Sequence, residues 1–143
     1  MKTILLIHGV NLNLLGRRDA RHYGSFSLKT LENRVKAEAK LHNLKVKTFQ
    51  SNHEGALIDF IQKNSPHAAG IIINPGAFTH YSYALHDALL DTGLPAIEVH
   101  LSQIARRESW RKISVTAPAC AMVISGEKEE GYFKAVRALS KMI

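Results

Sequence analysis

The chain has 143 residues, and its 19 Lys and Arg outnumber 12 Asp and Glu to give a formal net charge of +7. With 45% hydrophobic and 22% charged residues it has the composition of a folded globular domain, not of a disordered chain. No apolar run approaches the roughly 20 residues of a membrane-spanning helix, and a single cysteine excludes an internal disulfide and a multi-cysteine metal site. We therefore expect one domain over residues 1–143, soluble and cytoplasmic.

Predicted strands and helices alternate along the chain. Residues 2–8 carry the continuous apolar run of a buried parallel strand, and residues 9–24 have the glycines and polar side chains of a loop. Apolar residues then recur at helical spacing over residues 27–42, behind Ser27 as N-cap. Strands are predicted further on at 44–50, 70–74, 95–99 and 119–125, helices at 54–63, 79–91 and 127–142, and a short helix or turn at 102–111. This order predicts an α/β fold, a doubly wound, flavodoxin-like five-stranded parallel sheet in a three-layer α/β/α arrangement.

Polar side chains follow three of the predicted strands. In an open parallel sheet, ligands bind beyond the carboxyl ends of the strands, so these side chains should meet at one edge. They are His8, Asn11 and Asn13 after the first strand, Asn74 to His80 after the third, and Glu98, His100 and Ser102 in the segment into which the fourth strand runs. We therefore expect the functional site at this edge.

Glu98 and His100 are two residues apart on a predicted strand, so both side chains leave the same face. A carboxylate beside an imidazole can fix its tautomer and hold it for proton transfer. A strand-end salt bridge is an equally good interpretation of this pair by itself.

Tyr23 closes a loop that also contains Arg17, Arg18 and Arg21. A tyrosine with the ordinary pKa near 10 is a poor base at neutral pH unless cations stabilise its phenolate. A single loop tyrosine is more often a surface residue, but arginines packed around Tyr23 favour a functional role.

Other kinds of site lack their sequence signals. The chain has no H-E-x-x-H pattern and neither of the glycine-rich nucleotide motifs, G-x-x-x-x-G-K-[ST] and G-x-G-x-x-G, so we expect no metal site and no nucleotide-phosphate loop. Cys120 lies in an apolar run and is predicted to be a core residue, not a nucleophile. The excess of basic residues is compatible with nucleic acid or with a small anionic substrate.

Four motifs resemble one known family. They are Asn11-Leu12-Asn13-Leu14-Leu15-Gly16 with Arg18 and Tyr23-Gly24, then Gln50-Ser51-Asn52-His53-Glu54-Gly55, the run from Asn74 to Ala88, and Glu98-Val99-His100-Leu101-Ser102 with Arg107-Glu108 and Arg111. Through them the chain closely resembles the type II 3-dehydroquinate dehydratases over nearly its whole length. It departs from the family at Val10 and Ala20, where proline is usual, at Asp19 in place of Glu, and at Gln103 in place of Asn.

The resemblance implies a hydro-lyase (EC 4.2.1.10) that dehydrates 3-dehydroquinate to 3-dehydroshikimate through an enolate, with neither a metal nor another cofactor. That reaction belongs to the shikimate pathway, which leads to chorismate and the aromatic amino acids. The alternative is the same reaction in quinate catabolism. Two other classes remain as competitors: an FMN-binding flavodoxin-like protein, which would be yellow, and a basic nucleic-acid-binding protein, whose duplex affinity would fall steeply with salt.

The resemblance also implies residue roles. Tyr23 would be the base, with Arg18 stabilising its phenolate; Asn11 would stabilise the enolate, and His100, oriented by Glu98, would protonate the departing hydroxyl. The implied substrate-binding residues are Asn74, His80, Asp87, Leu101, Ser102 and Arg111.

The implied assembly is a homododecamer of four trimers, with no nucleic-acid or membrane partner. Asp87 would complete a neighbouring subunit's site. In a helix that begins around Thr79, the rise of 1.5 Å per residue carries Asp87 roughly 12 Å from the helix start, too far to reach its own site.

Overall fold

Five parallel strands form one sheet in a computed structural model that describes residues 1–143. The strands are β1 (Lys2–His8), β2 (Leu44–Gln50), β3 (Gly70–Asn74), β4 (Ala96–His100) and β5 (Met122–Ser125). The helices are α1 (Ala20–Tyr23), α2 (Leu28–Leu41), α3 (Glu54–Asn64), α4 (Tyr83–Asp91) and α5 (Glu129–Ser140). The sheet order is β2-β1-β3-β4-β5, and every neighbouring pair is parallel. The predicted doubly wound, three-layer α/β fold is therefore confirmed.

The two faces of the sheet bury two separate apolar clusters, because successive side chains on a strand point to opposite faces. On one face Leu6 of β1 packs with Leu31 of α2 and Val136 of α5, while on the other Ile7 packs with Leu57 of α3. These side chains are all 0% exposed. None of the helices has the length and apolar character required to cross a membrane.

The helix predicted over residues 79–91 begins later than the sequence indicates. Residues Gly76–His80 form a 3-10 turn, and α4 begins at Tyr83 behind Ser82, whose hydroxyl accepts a hydrogen bond from the backbone N–H of Leu85 at 3.0 Å. Tyr81, which lies inside the predicted helix, precedes α4 and is 59% exposed. The serine cap, not the apolar spacing, sets the start of this helix.

The fourth strand and the last helix differ from their predicted bounds by one or two residues at each end, and two other segments differ more. The stretch over residues 9–24 is not a plain loop, since it contains a 3-10 turn at Leu12–Leu14 and helix α1. The last strand is shorter than predicted: a 3-10 turn occupies Ala117–Ala119, and Cys120 precedes β5 instead of lying in it. Cys120 does pack against an apolar cluster, and burial raises the pKa of its thiol to about 12.

The carboxyl ends of β1, β3 and β4 lie side by side at one edge of the sheet. His8 of β1 pairs in register with Asn74 of β3. A Cβ added at Gly9 would lie 1.9 Å from the carbonyl oxygen of Pro75, so the backbones that leave β1 and β3 are in direct contact. This contact holds together the connections that carry Asn11, Arg18 and Tyr23 on one side and His80 on the other.

Candidate active site

A cleft that is partly open to solvent lies at this edge of the sheet. Its lining consists of Val10, Asn11, Leu12, Arg18, Tyr23, Asn74, Gly76, Ala77, His80, His100, Leu101, Ser102, Ile104, Arg107 and Arg111. Nine of the eleven residues predicted for the site are among them, and the two that are not are Glu98 and Asp87. The strand-end rule therefore located the cleft correctly.

Tyr23 is 9% exposed, and its phenol oxygen lies between two guanidinium groups. Arg18 donates from Nη2 at 2.8 Å and Arg107 donates from Nη1 at 2.6 Å. The Arg18 guanidinium also lies over the tyrosine ring, 3.7 Å from its centre. Because guanidinium can only donate, the phenol oxygen is an acceptor in both bonds, and an anionic oxygen would accept them most strongly.

Of the three arginines predicted around Tyr23, Arg18 alone contacts its oxygen. Arg21 is directed to solvent, where it forms a bidentate pair with Asp19. Hydrogen bonds from Arg21 hold the pKa of the Asp19 carboxyl at about 2, and Arg17 is exposed outside the cleft. The second cation is Arg107, which sequence reasoning missed. It stands in the fourth motif, and that position was the only signal that could have indicated it.

His100 and Glu98 form a buried pair on β4, as their spacing predicted. The imidazole Nε2 lies 2.8 Å from the Glu98 carboxylate, which leaves Nδ1 as the ring nitrogen without a protein partner. Glu98 also accepts hydrogen bonds from the hydroxyls of Ser114 and Thr116. Burial alone would raise the pKa of this carboxyl, but the hydrogen bonds and the imidazole hold it below its ordinary value. Glu98 lies behind His100, so it orients the imidazole and does not line the cleft.

Asn74 is held at both ends of its side-chain amide. Its oxygen accepts from the backbone N–H of Gly76 at 3.1 Å, and its nitrogen donates to the hydroxyl of Tyr132 at 3.0 Å. One N–H of the amide is left for the cleft, which Asn74 lines. Tyr132 was not among the predicted site residues.

Asn11 lies in a left-handed backbone conformation, with φ of 68°, that few residues other than glycine and asparagine adopt readily. Its backbone N–H donates to the side-chain oxygen of Asn52 at 2.9 Å, so a residue of the second motif holds the backbone of the first motif in place. His8 and Asn13 were also expected at the edge, but neither lines the cleft. The His8 ring is buried in the layer of α2 and α5, with Nε2 3.2 Å from a carboxylate oxygen of Glu32. This pairing lowers the pKa of the Glu32 carboxyl.

His80 and Arg111 line the side of the cleft formed by the turns after β3 and β4. His80 Nδ1 lies 2.7 Å from the carbonyl oxygen of Ile113, which can only accept, so Nδ1 carries the hydrogen and Nε2 is an acceptor. Burial lowers the pKa of the imidazole, which favours this neutral form. Arg111 pairs with Glu108 and lies over the Trp110 ring at 4.0 Å from its centre.

Asp87 lies outside the cleft, but for a different reason from the one predicted. Because α4 begins at Tyr83, Asp87 stands only four residues along it, roughly 6 Å from its start and not 12 Å. Its side chain is 73% exposed and is paired with Nδ1 of its neighbour His86 at 2.9 Å. The distance argument made from the sequence was therefore wrong, although the carboxylate does not reach the cleft of its own chain.

The structure contains no group of three or more His, Cys, Asp and Glu side chains placed to hold a metal ion. What the cleft offers chemically is an acceptor oxygen between two cations, an imidazole held by a buried carboxylate, and several amide and guanidinium donors. These groups suit proton removal and proton delivery on an anionic ligand that is rich in oxygen.

Comparison with known proteins identifies the family. The family described as "Dehydroquinase class II" matches residues 2–140. A 3-dehydroquinate dehydratase of Bacillus cereus (strain G9842) is 50% identical over 143 residues, which are 100% of this chain and 98% of the relative. One from Bacillus cytotoxicus is 52% identical over 139 residues, which cover 97% of this chain and 95% of the relative.

Solved structures agree with this result. The crystal structure of a type II dehydroquinase from Butyrivibrio crossotus has a TM-score of 0.93 at 46% identity and covers 96% of this chain and 97% of that one. A type II dehydroquinase from Propionibacterium acnes has a TM-score of 0.94 at 34% identity, over 99% of this chain and 97% of that one. The chain therefore belongs to the class II dehydroquinase family and is an enzyme of the hydro-lyase class.

Proposed function

We propose that this protein removes water from 3-dehydroquinate to give 3-dehydroshikimate, through an enolate. The observation that carries the proposal is the position of the Tyr23 oxygen between Arg18 and Arg107, in the same cleft as the imidazole that Glu98 holds. The phenol oxygen can remove a proton from one small molecule, and the imidazole can deliver a proton to it.

In the proposed mechanism, Tyr23 as phenolate takes the proton from C2 of the substrate. The electrons of that C–H bond move into the C3 ketone, and Asn11 stabilises the enolate oxygen directly or through a water. The enolate then reforms the ketone and expels the C1 hydroxyl, which His100 protonates, so that water leaves. The buried carboxylate of Glu98 keeps the imidazole in one tautomer and one orientation.

Substrate binding in this proposal uses the remaining cleft residues. Asn74 together with the backbone and hydroxyl of Leu101 and Ser102 holds the carboxylate, while His80 and Arg111 contact the ring hydroxyls. The segment with Arg17, Arg18 and Tyr23 then closes over an anionic ligand as a lid. Part of the net positive charge of the chain would then serve to bind a small anionic substrate.

The biological setting is also part of the proposal. We infer one catalytic domain that works in the cytoplasm, where a lone cysteine stays reduced. Its place is in the shikimate pathway, with quinate breakdown as the alternative use of the same reaction. The assembly that we propose is a dodecamer of four trimers in which Asp87 of one chain approaches the cleft of a neighbour.

A direct test is to mix the purified protein with 3-dehydroquinate and follow the absorbance of the conjugated enone product. We expect steady turnover, unchanged when the protein is first incubated with substrate and borohydride, because no lysine lines the cleft to form a Schiff base. Absence of the enone product would overturn the proposal. Yellow protein with a flavin spectrum, or duplex binding that weakens steeply with salt, would favour a competing class instead.

A further inference from the structure

The orientation of the Asn74 amide is decided by two partners of different kinds. Gly76 offers a backbone N–H, which can only donate, so the atom facing it must be the amide oxygen. The amide nitrogen then faces the hydroxyl of Tyr132, which accepts one of its hydrogens. Rotating the amide by half a turn would place two donors against each other at Gly76.

We propose that Tyr132 is a positioning residue for the anionic substrate, because its hydroxyl, together with the backbone N–H of Gly76, holds the Asn74 amide so that an N–H faces the cleft. This inference rests on the proposed function, in which Asn74 holds the substrate carboxylate. A carboxylate oxygen only accepts, so a flipped amide would present its carbonyl oxygen to the ligand and repel it.

Tyr132 is suited to this task by its surroundings. Its side chain is 0% exposed within the cluster that α5 forms with the sheet, so the hydroxyl has little freedom to move. The ring of His8 lies against it, with the two ring centres 6.4 Å apart. Burial raises the pKa of the Tyr132 phenol above its ordinary value, so the group stays neutral and adds no negative charge behind an anionic ligand.

The position of Asn74 determines which kinetic constant should change. A group that holds the carboxylate contacts the substrate equally in the ground state and in the transition state, so its loss weakens binding without slowing the chemical step. A defect in the core of α5 that disturbed the whole cleft would lower kcat as well. The two explanations therefore differ in the balance between KM and kcat.

The test compares Tyr132→Phe with Tyr83→Phe, which removes a hydroxyl from a residue that is 69% exposed. We expect Tyr132→Phe to raise KM about tenfold, the size of one oriented hydrogen bond, with kcat within about twofold of the wild type. Tyr83→Phe should leave both constants unchanged. An unchanged KM in Tyr132→Phe, or an equal loss in kcat, would overturn the proposal.

A double-mutant cycle with Asn74→Ala shows whether Tyr132 acts through Asn74. If it does, Tyr132→Phe should have almost no further effect on KM in the Asn74→Ala background, whereas independent effects would multiply. A crystal structure of Tyr132→Phe provides a readout that does not depend on turnover, since the amide of Asn74 should be displaced or occupy two orientations. If the wild type does not convert 3-dehydroquinate but the amide is displaced in Tyr132→Phe, the proposed function alone is contradicted. If the amide is not displaced in Tyr132→Phe, the positioning role is contradicted.

Discussion

Tyr23 is the residue proposed as the base, and its phenol oxygen accepts hydrogen bonds from two guanidinium groups, those of Arg18 and Arg107. Tyr23→Phe keeps the ring and both arginines and removes only the oxygen. We expect kcat to fall 10²–10⁴-fold, the usual cost of a lost general base, while calorimetry still detects substrate binding. Retention of more than about a tenth of the wild-type activity would assign the base to another residue.

Arg107 and Arg106 make a matched pair for testing the second cation. Arg107 donates to Tyr23, whereas its neighbour Arg106 is exposed and lies outside the cleft. We expect Arg107→Ala to lower kcat/KM about 10²-fold, because the Tyr23 oxygen loses one of the two guanidinium groups that bind it. Arg106→Ala should leave kcat/KM at the wild-type value. Equal effects in the two variants would show that general positive charge, and not contact with Tyr23, matters.

The connections after β1 and β3 depend on close backbone contact, and Gly9 is where that contact is tightest. A Cβ at Gly9 would meet the Pro75 carbonyl at 1.9 Å, whereas one at Gly55 in α3 would meet nothing within 4 Å. We expect Gly9→Ala to lower the free energy of unfolding by about 3 kcal/mol, because backbone must move to make room. Gly55→Ala should be neutral or stabilising by up to about 1 kcal/mol, because alanine favours helix. Denaturant unfolding measures both, and equal stabilities would contradict the crowding at Gly9.

Helix α1 contains one of the two positions where the family usually has proline. Ala20 is its first residue, and Asp19 before it caps the helix with φ of −57° and ψ of 112°, a conformation that tolerates a following proline. The backbone N–H of Ala20 makes no hydrogen bond that proline would remove. We expect Ala20→Pro to raise the free energy of unfolding by about 0.5 kcal/mol, by restricting the unfolded chain. A fall in thermal stability would show that α1 needs a backbone geometry that proline cannot adopt.

At the scale of the whole molecule, the assembly matters because Asp87 does not line the cleft of its own chain. In the proposed dodecamer, each exposed Asp87 carboxylate would lie near the cleft of a neighbour in a closed, symmetric arrangement. Light scattering should give roughly 190 kDa, the mass of twelve chains of 15.9 kDa. Asp87→Asn should reduce activity without changing that mass. A fully active monomer would show that one chain holds a complete site.

Local sequence patterns determined much of this protein. The apolar runs and their spacing predicted β1, β2 and β3 with the observed bounds, and Ser27 caps α2 as expected. The two-residue spacing of Glu98 and His100 was enough to place them together on one strand. Such features depend on neighbours in the chain and on the two-residue repeat of a strand, both of which can be read without coordinates.

Tertiary structure alone decided the contacts between distant segments. Arg107 contacts Tyr23 across 84 residues of sequence, and Tyr132 contacts Asn74 across 58. No local sequence pattern predicts either contact. His8 was expected at the edge with the other candidate site residues, but its ring is buried in the layer of α2 and α5, where it pairs with Glu32. The order of the strands, their register and the face from which each side chain leaves decide which distant residues meet, and these are properties of the packed sheet as a unit.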